Sequence, residues 1–457
     1  MNNTTLNVDN SFVLSNKKNI RFAQKIYGPI LKSFLVFVFG VLFINLTGFM
    51  NLLDGSVASF IISSVSSFPI LRYVWLKTTS IRMKTLIVSF WPAMVLIFLL
   101  TTDITVGSGD GEVFYFQTKY FSDQVFSQGE IWPGLSYFKQ RSIIYPFCIY
   151  FYALPYYVFN DTYDAIFPFN SLLLIIASYL LYCLVYKKLN NPNLAHLSFI
   201  ACLFFPGYWL HNLHVERDIV ILLQLMLFLF ALNEFKKKYW VLPLFSIVIL
   251  FITMLGSRPE YVIVFFGIIS ILLITEMKNN KIIPVILFPA LIGINYIILK
   301  LDVFTPFKGS GVELNMLNSI KTLFFLPMKV FFTSVGAFPW TRLGIVDAVG
   351  HDPIHLMLHI ISTVIRLMVL LGIVISILKI IKKNSTEIMH DKIWLISGGV
   401  LLFAIQFSAI GYTRYIDPAI VLFLPATLLI INKSKFLYFL GSYIMIAFAH
   451  FYYYISL

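Results

Sequence analysis

Long apolar runs, separated by short polar breaks, recur from about residue 28 to the end of the chain. Helices of this length cross about 30 Å of hydrocarbon, because each residue rises about 1.5 Å. The pattern predicts an all-α, polytopic bundle of about thirteen transmembrane helices. They fall near 28–49, 52–76, 85–102, 166–186, 196–213, 218–235, 239–256, 261–277, 282–299, 357–381, 392–412, 419–432 and 436–457. Residues 28–457 thus read as one transmembrane domain behind a polar tail at 1–27. Two intervals, 103–165 and 300–356, are too long for turns and read as loops carrying juxtamembrane helices.

Two further stretches, 142–160 and 320–338, are apolar enough to cross but are not counted as spans. Counting the first would reverse the sides of Asp161 and Asp164 and of Lys187 and Lys188, against the rule that basic residues stay inside. Its crowd of aromatics, among them Tyr145, Phe147, Tyr150, Phe151, Tyr152, Tyr156 and Tyr157, suits a helix lying along the interface. An ordinary hairpin of spans is the competing reading. No sequence repeat relates the two halves, which weighs against a transporter built from inverted repeats.

Composition agrees with immersion in lipid: 59% of residues are hydrophobic and 12% charged, about half the charge of a soluble domain. The net charge of +13 raises the question of nucleic acid. The basic residues answer it by their placement, in short clusters between apolar runs such as Lys77/Arg82/Lys84, Lys236/Lys237/Lys238 and Lys382/Lys383. Cytoplasmic loops account for that pattern without a nucleic-acid partner. With Lys17, Lys18, Arg21 and Lys25 before the first run, the N-terminus is expected inside and the run is expected to be an uncleaved anchor. Cys148, Cys183 and Cys202 have no metal-ligand or disulfide spacing.

Three features carry candidate chemistry. The first long loop opens with Gly107-Ser108-Gly109-Asp110-Gly111-Glu112, which lacks the Lys-Ser/Thr ending of a phosphate-binding P-loop. A glycine hinge holding Asp110 and Glu112 just above a span could supply a general base or a divalent-cation ligand. A plain solvated acidic loop is the alternative. Second, Arg217, Arg258, Arg342 and Arg414 all map to short turns or loops on the outer face, where the charge rule disfavours them. Converging guanidiniums would suit a lipid phosphate or diphosphate, unless Glu216, Asp218, Glu260 and Asp417 merely pair with them locally. Third, His351, His355, His359, Ser362 and Arg366 fall within roughly an 80° arc if one helix carries them all. Asp352-Pro353 is expected to break that helix, which disfavours a histidine metal site and favours a polar wall of a substrate cavity. Arg366 lies well inside its predicted span and must face the bundle interior or water.

The layout and its short motifs resemble the C-type glycosyltransferase superfamily and the related polymerases of bacterial surface polysaccharides. The resemblance rests on Gly109-Asp110 to Tyr115 after a span, then Tyr145-Pro146 and an aromatic helix, with Asn170 opening the next span. Phe205-Pro206 before Arg217-Asp218, Arg258-Pro259, Phe338-Pro339-Trp340 and Thr413-Arg414-Tyr415 continue it over about 85–430. The extra hairpin at 28–76 departs from the pattern, as does the lack of a large soluble C-terminal domain. The resemblance implies a multi-pass protein of the bacterial inner membrane, with a cytoplasmic N-terminus and periplasmic loops. It would use sugar donors linked to undecaprenyl phosphate or diphosphate, for O-antigen or capsule synthesis. Asp110 or Glu112 would activate the acceptor, and Arg217, Arg258, Arg342, Arg366 and Arg414 would hold the phosphate-bearing substrate. Tyr145 and Trp132 would also contact substrate, Trp132 with Tyr137 and Trp340 by stacking on sugar faces unless they only anchor the interface. The implied partners are the polyprenyl-linked glycan, membrane lipid and other polysaccharide-assembly membrane proteins. No organic cofactor is implied, and a divalent cation stays open. A lipid-linked oligosaccharide flippase, or another polytopic transporter, is the rival expectation.

Overall fold

The computed structural model describes residues 10–48, 52–100, 110–129, 145–160, 162–212, 217–235, 241–258, 261–262, 264–269, 353–381, 397–399, 417–430, 441 and 445. Among the described residues the chain is helical and holds no strand. Twelve helices are used below. They are α1 (Asn10–Leu46), α2 (Gly55–Lys77), α3 (Ile81–Leu100), α4 (Asp110–Gln124), α5 (Pro146–Val158), α6 (Ile166–Leu189), α7 (Pro192–Leu203), α8 (Pro206–Asn212), α9 (Asp218–Phe235), α10 (Val241–Leu255), α11 (Pro353–Ile381) and α12 (Asp417–Ile430).

Among the described residues four helices are long and apolar enough to cross a membrane: α2, α3, α6 and the Tyr27–Leu46 part of α1. Their burial differs sharply. The apolar window of α6 is 89% buried, against 17% for those of α1 and α3. A helix apolar on every side belongs either in a core or in lipid. Here α6 takes the core, while α1 and α3 turn Phe34, Phe39, Phe43, Val88 and Leu99 outward. Helix α2 approaches α6 through small side chains: Ser59, Ser63, Ser66 and Ser67 are all buried, and Ser59 Oγ donates to the Ala165 carbonyl at 2.6 Å. Small residues at such a contact let two backbones come close, which is how helices associate without a hydrophobic driving force between them.

Helix ends follow local chemistry. Asp54 caps α2, its carboxylate accepting from the Ser56 N–H at 2.8 Å. Asn190, in the left-handed region at φ 50, closes α6. Asn191 then caps α7 by accepting from the Leu194 N–H at 3.0 Å, with Pro192 at the first helical position. At the same end, Lys187 in the last turn of α6 pairs with Glu234 of α9.

Several boundaries differ from those expected. The predicted span 196–213 is not one helix: it is α7 and α8, separated at Phe204-Phe205. Pro206 has no N–H to donate and disfavours helical geometry at Phe205 before it. Trp209 repairs part of the break by donating its indole N–H to the Leu203 carbonyl at 2.7 Å. Helix α1 runs back to Asn10, so the polar tail and the first span share one helix. The interval 103–165, expected to carry juxtamembrane helices, holds α4 and α5. The 13 residues of α5 measure about 20 Å, short of the hydrocarbon thickness. Phe121 of α4 and Phe126 just after it meet Tyr150 edge to face, and Phe126 meets Tyr157 at a tilt, which joins this segment to α5. Tyr152 then donates to Asn170 Oδ1 at 2.9 Å, and the Phe147 N–H to the Gly256 carbonyl at 3.0 Å, fixing α5 on α6 and on the end of α10. The predicted span at 282–299, and most of 300–356, 392–412 and 436–457, lie outside the described residues.

Candidate functional site

The first turns of α9 and α12 carry acidic residues, Asp218 and Asp417, each favourably placed against the positive end of its own helix. Asp218 Oδ1 lies 3.5 Å from Nη1 of Arg258, which follows α10. Asp417 accepts two bonds from Arg366 of α11, Nε to Oδ1 at 2.6 Å and Nη2 to Oδ2 at 2.8 Å. Each carboxylate thus pairs with an arginine far from it in sequence, where local pairs were expected; Arg414 lies outside the described residues. A guanidinium fork needs a carboxylate that faces it squarely.

All five charged groups are buried: Arg217 is 6% exposed, Asp218 3%, Arg258 2%, Arg366 1% and Asp417 0%. Each charge needs its neighbours, because an ion left alone at such depth costs several kcal/mol. Arg366 lies about four turns into α11 yet meets the start of α12, so its depth is that of a helix end. Its counter-charge is the reason it can be buried.

Arg217 stands against aromatic rings. Its guanidinium carbon lies 3.9 Å from the Tyr145 ring centroid and 5.6 Å from that of Phe114. A guanidinium over a ring face is attracted by the ring quadrupole. Tyr145 holds φ 58, a left-handed conformation uncommon for an aromatic residue, where it caps α5. Arg258 lies 5.2 Å from the Tyr261 ring in the same way.

Tyr208 of α8 lies near both ion pairs. Fully buried, it is within electrostatic reach of both Asp417 and Asp218, and of Tyr261. The neighbouring Gly207 leaves room for this approach: a Cβ there would stand 2.5 Å from Asp417 Oδ2 and 2.8 Å from Phe205 Cε1. The break between α7 and α8 thus has a structural use, since it brings a side-chain-free position against a buried carboxylate.

Cys148 borders the cluster from α5. Burial pushes its thiol up to about 12, against the opposing pull of the Ser257 hydroxyl and the Arg217 guanidinium. It is a neutral thiol at physiological pH and therefore a poor nucleophile. Gln224 donates to Ser257 Oγ at 3.1 Å and completes this wall.

No family model, curated protein or solved structure matches the chain. The geometry stands alone.

Of the residues expected at a site, the structure brings together Arg217, Arg258, Arg366 and Tyr145. Asp110 is the first residue of α4 rather than part of a glycine hinge, and Phe114, one turn further along α4, meets Arg217. The start of α4 is therefore docked on the arginine cluster; the side chains of Asp110 and Glu112 lie outside the described residues. Arg342, Arg414 and Trp132 lie outside them as well. The polar stripe of α11 is represented by Ser362 and Arg366, one turn apart and both buried. Helix α11 is described from Pro353, so His351 lies outside the described residues; His355 and His359 are on the helix, with side chains outside the described residues. Among the described residues no three His, Cys, Asp or Glu groups stand together as metal ligands. Gly207, Tyr208 and Phe114 were not expected here. Phe205-Pro206 marked the break in the sequence, but nothing local marked what the break faces.

Proposed function

We propose that this chain is a multi-pass membrane glycosyltransferase or polysaccharide polymerase. It takes sugars carried on undecaprenyl phosphate or diphosphate at the outer face of a bacterial inner membrane, for surface polysaccharide synthesis. One observation carries the reading: three arginines are buried near the starts of α9 and α12, Arg258 paired with Asp218, Arg366 paired with Asp417, and Arg217 stacked on Tyr145. Helix N-termini and guanidiniums in a low-dielectric setting stabilise a phosphate, and stabilise it further as it departs with developing charge.

In this reading Asp110 is the general base for the acceptor hydroxyl and Glu112 a second carboxylate, supported by the start of α4 at Asp110 and the contact of Phe114 with Arg217. The base takes the hydroxyl proton, the acceptor oxygen forms a bond to the anomeric carbon, and the bond to the phosphate oxygen breaks. The polyprenyl phosphate leaves onto the arginines. Arg342 and Arg414 belong to the same group in this scheme, and Trp132 lines the sugar. The finer topology proposed with it is about thirteen spans, a cytoplasmic N-terminus and long periplasmic segments at 103–165 and 300–356.

The test is reconstitution. Purified protein in detergent, given the lipid-linked glycan extract of its own cells, should lengthen the glycan or transfer its sugar. A flippase would transfer nothing in detergent, yet would move the same lipid between leaflets of a vesicle.

A further inference from the structure

Residues 72–84 hold four cations, Arg72, Lys77, Arg82 and Lys84, and no acidic residue occurs between Asp54 and Asp103. The four surround the turn between α2 and α3, two helices long and apolar enough to cross a membrane. Each helix measures about 30–35 Å, close to the hydrocarbon thickness, so the turn at 78–80 falls at headgroup depth. The hairpin is pinned. Trp91 of α3 donates to Ser67 Oγ of α2 at 2.8 Å, and the buried Thr78 donates its N–H to the Val74 carbonyl at 3.1 Å. Lys84 lies 4.5 Å from the Trp75 ring centroid, and Lys77 5.9 Å from that of Tyr73. A ring face attracts an ammonium but leaves most of its N–H donors open. Among the described residues none of the four cations pairs with a carboxylate.

We propose that this turn binds the headgroup of an anionic phospholipid, which bridges the end of α2 and the start of α3. Charge sets the sign of the partner. Arg82 and Lys84 stand in the first turn of α3, where the helix dipole disfavours cations, so an anion beside them relieves both effects. Apolar neighbours set its kind. Leu76 and Ile81, interleaved with the cations, are exposed, and so is Trp75. A dissolved anion would leave these side chains in water, whereas a lipid covers them with its acyl chains, and tryptophan favours that boundary layer. Arg72, one to two turns deeper in α2, reaches the same layer by extending its side chain along the helix. The leaflet is the cytoplasmic one in the topology proposed above. The inference stands whether or not the chain transfers sugar.

The experiment measures binding of two lipids, each with a fluorescent acyl chain, to the full-length protein in a non-ionic detergent: phosphatidylglycerol, which is anionic, and phosphatidylcholine, which carries no net charge. Wild type should hold phosphatidylglycerol about tenfold more tightly or better. Arg82→Gln/Lys84→Gln should weaken phosphatidylglycerol about tenfold to thirtyfold, at roughly fivefold per basic residue, and leave phosphatidylcholine within about twofold. Should that variant fail to fold, Arg72→Gln/Lys77→Gln carries the same expectation. Lys32→Gln/Lys119→Gln removes two charges elsewhere and should bind phosphatidylglycerol within about twofold of wild type. An equal loss there would reduce the effect to net charge and overturn the site, as would a wild type without preference between the lipids. Displacement of phosphatidylglycerol by inorganic phosphate, beyond that by sodium chloride of equal ionic strength, would make the ligand a dissolved anion and overturn the lipid reading.

Discussion

Arg366 and Asp417, 51 residues apart, form a two-bonded ion pair with neither side chain more than 1% exposed. It joins α11 to the start of α12, and Asp417 also presses on the backbone of α8 at Gly207. Removing one partner leaves a buried charge without compensation. Arg366→Leu and Asp417→Leu should therefore each destabilise the protein by about 3–5 kcal/mol, while the double leucine variant should recover much of the loss. Thermal unfolding in detergent checks this. A double variant as poor as the sum of the singles would mean the two charges act independently.

Gly207→Ala tests the close approach of α8 to Asp417. The added methyl meets a carboxylate already held by two bonds, so the cheap escape of a swinging side chain is closed. A cost of about 1–3 kcal/mol is expected, in the range of overpacked sites. The same change in an Asp417→Ala background should cost clearly less, because Oδ2 is gone.

Much of this cluster was visible before any coordinates. Arg217 and Arg258 stood out because short outer turns disfavour arginine. Arg366 stood out because a charge within an apolar run needs an interior partner. The partners were not visible. Asp417 lies three residues from Arg414 and Asp218 next to Arg217, so proximity in sequence suggested local pairs and gave no sign of Arg366 and Arg258 as partners. The division of 196–213 into α7 and α8 was signalled by Pro206, yet the apolar run was long enough to be read through it. Gly207 carries no signal at all without the carboxylate it faces. The apolar periodicity placed α2, α3, α6, α9 and α10 closely, since lipid-facing and core-facing positions are both apolar and the run length sets the bounds.

The stack of Arg217 on Tyr145 yields a graded expectation. Tyr145→Phe keeps the ring, so donor binding should stay within about twofold of wild type. Tyr145→Leu loses the cation–π contact, worth about 0.5–2 kcal/mol, and should weaken donor binding by about twofold to thirtyfold. Equal behaviour of the two variants would show that the ring face does not hold the guanidinium.

Asp54 provides a test of pH dependence away from the cluster. The Ser56 hydroxyl and N–H hold its carboxyl below the usual carboxylate range. The sign follows: the stabilisation is present above the ordinary carboxylate pKa of about 3.9 and fades as pH falls through the depressed value. Asp54→Ala should lower stability by about 1 kcal/mol at neutral pH, the worth of a lost cap. The gap to wild type should narrow in acid; a gap independent of pH would mean the charge contributes nothing.

The most direct measurement is glycan product formed by the purified protein from lipid-linked glycan, compared for wild type, Arg217→Ala and Asp110→Asn. Wild type should transfer sugar. Arg217→Ala should raise KM for the donor. Asp110→Asn should cut kcat by about 10²–10⁴-fold at saturating donor, because the proton acceptor is lost while the side-chain size is kept. Near-normal turnover by Asp110→Asn contradicts the assigned base. A folded wild-type protein that transfers nothing, yet moves the glycan lipid across a vesicle, contradicts the transferase itself.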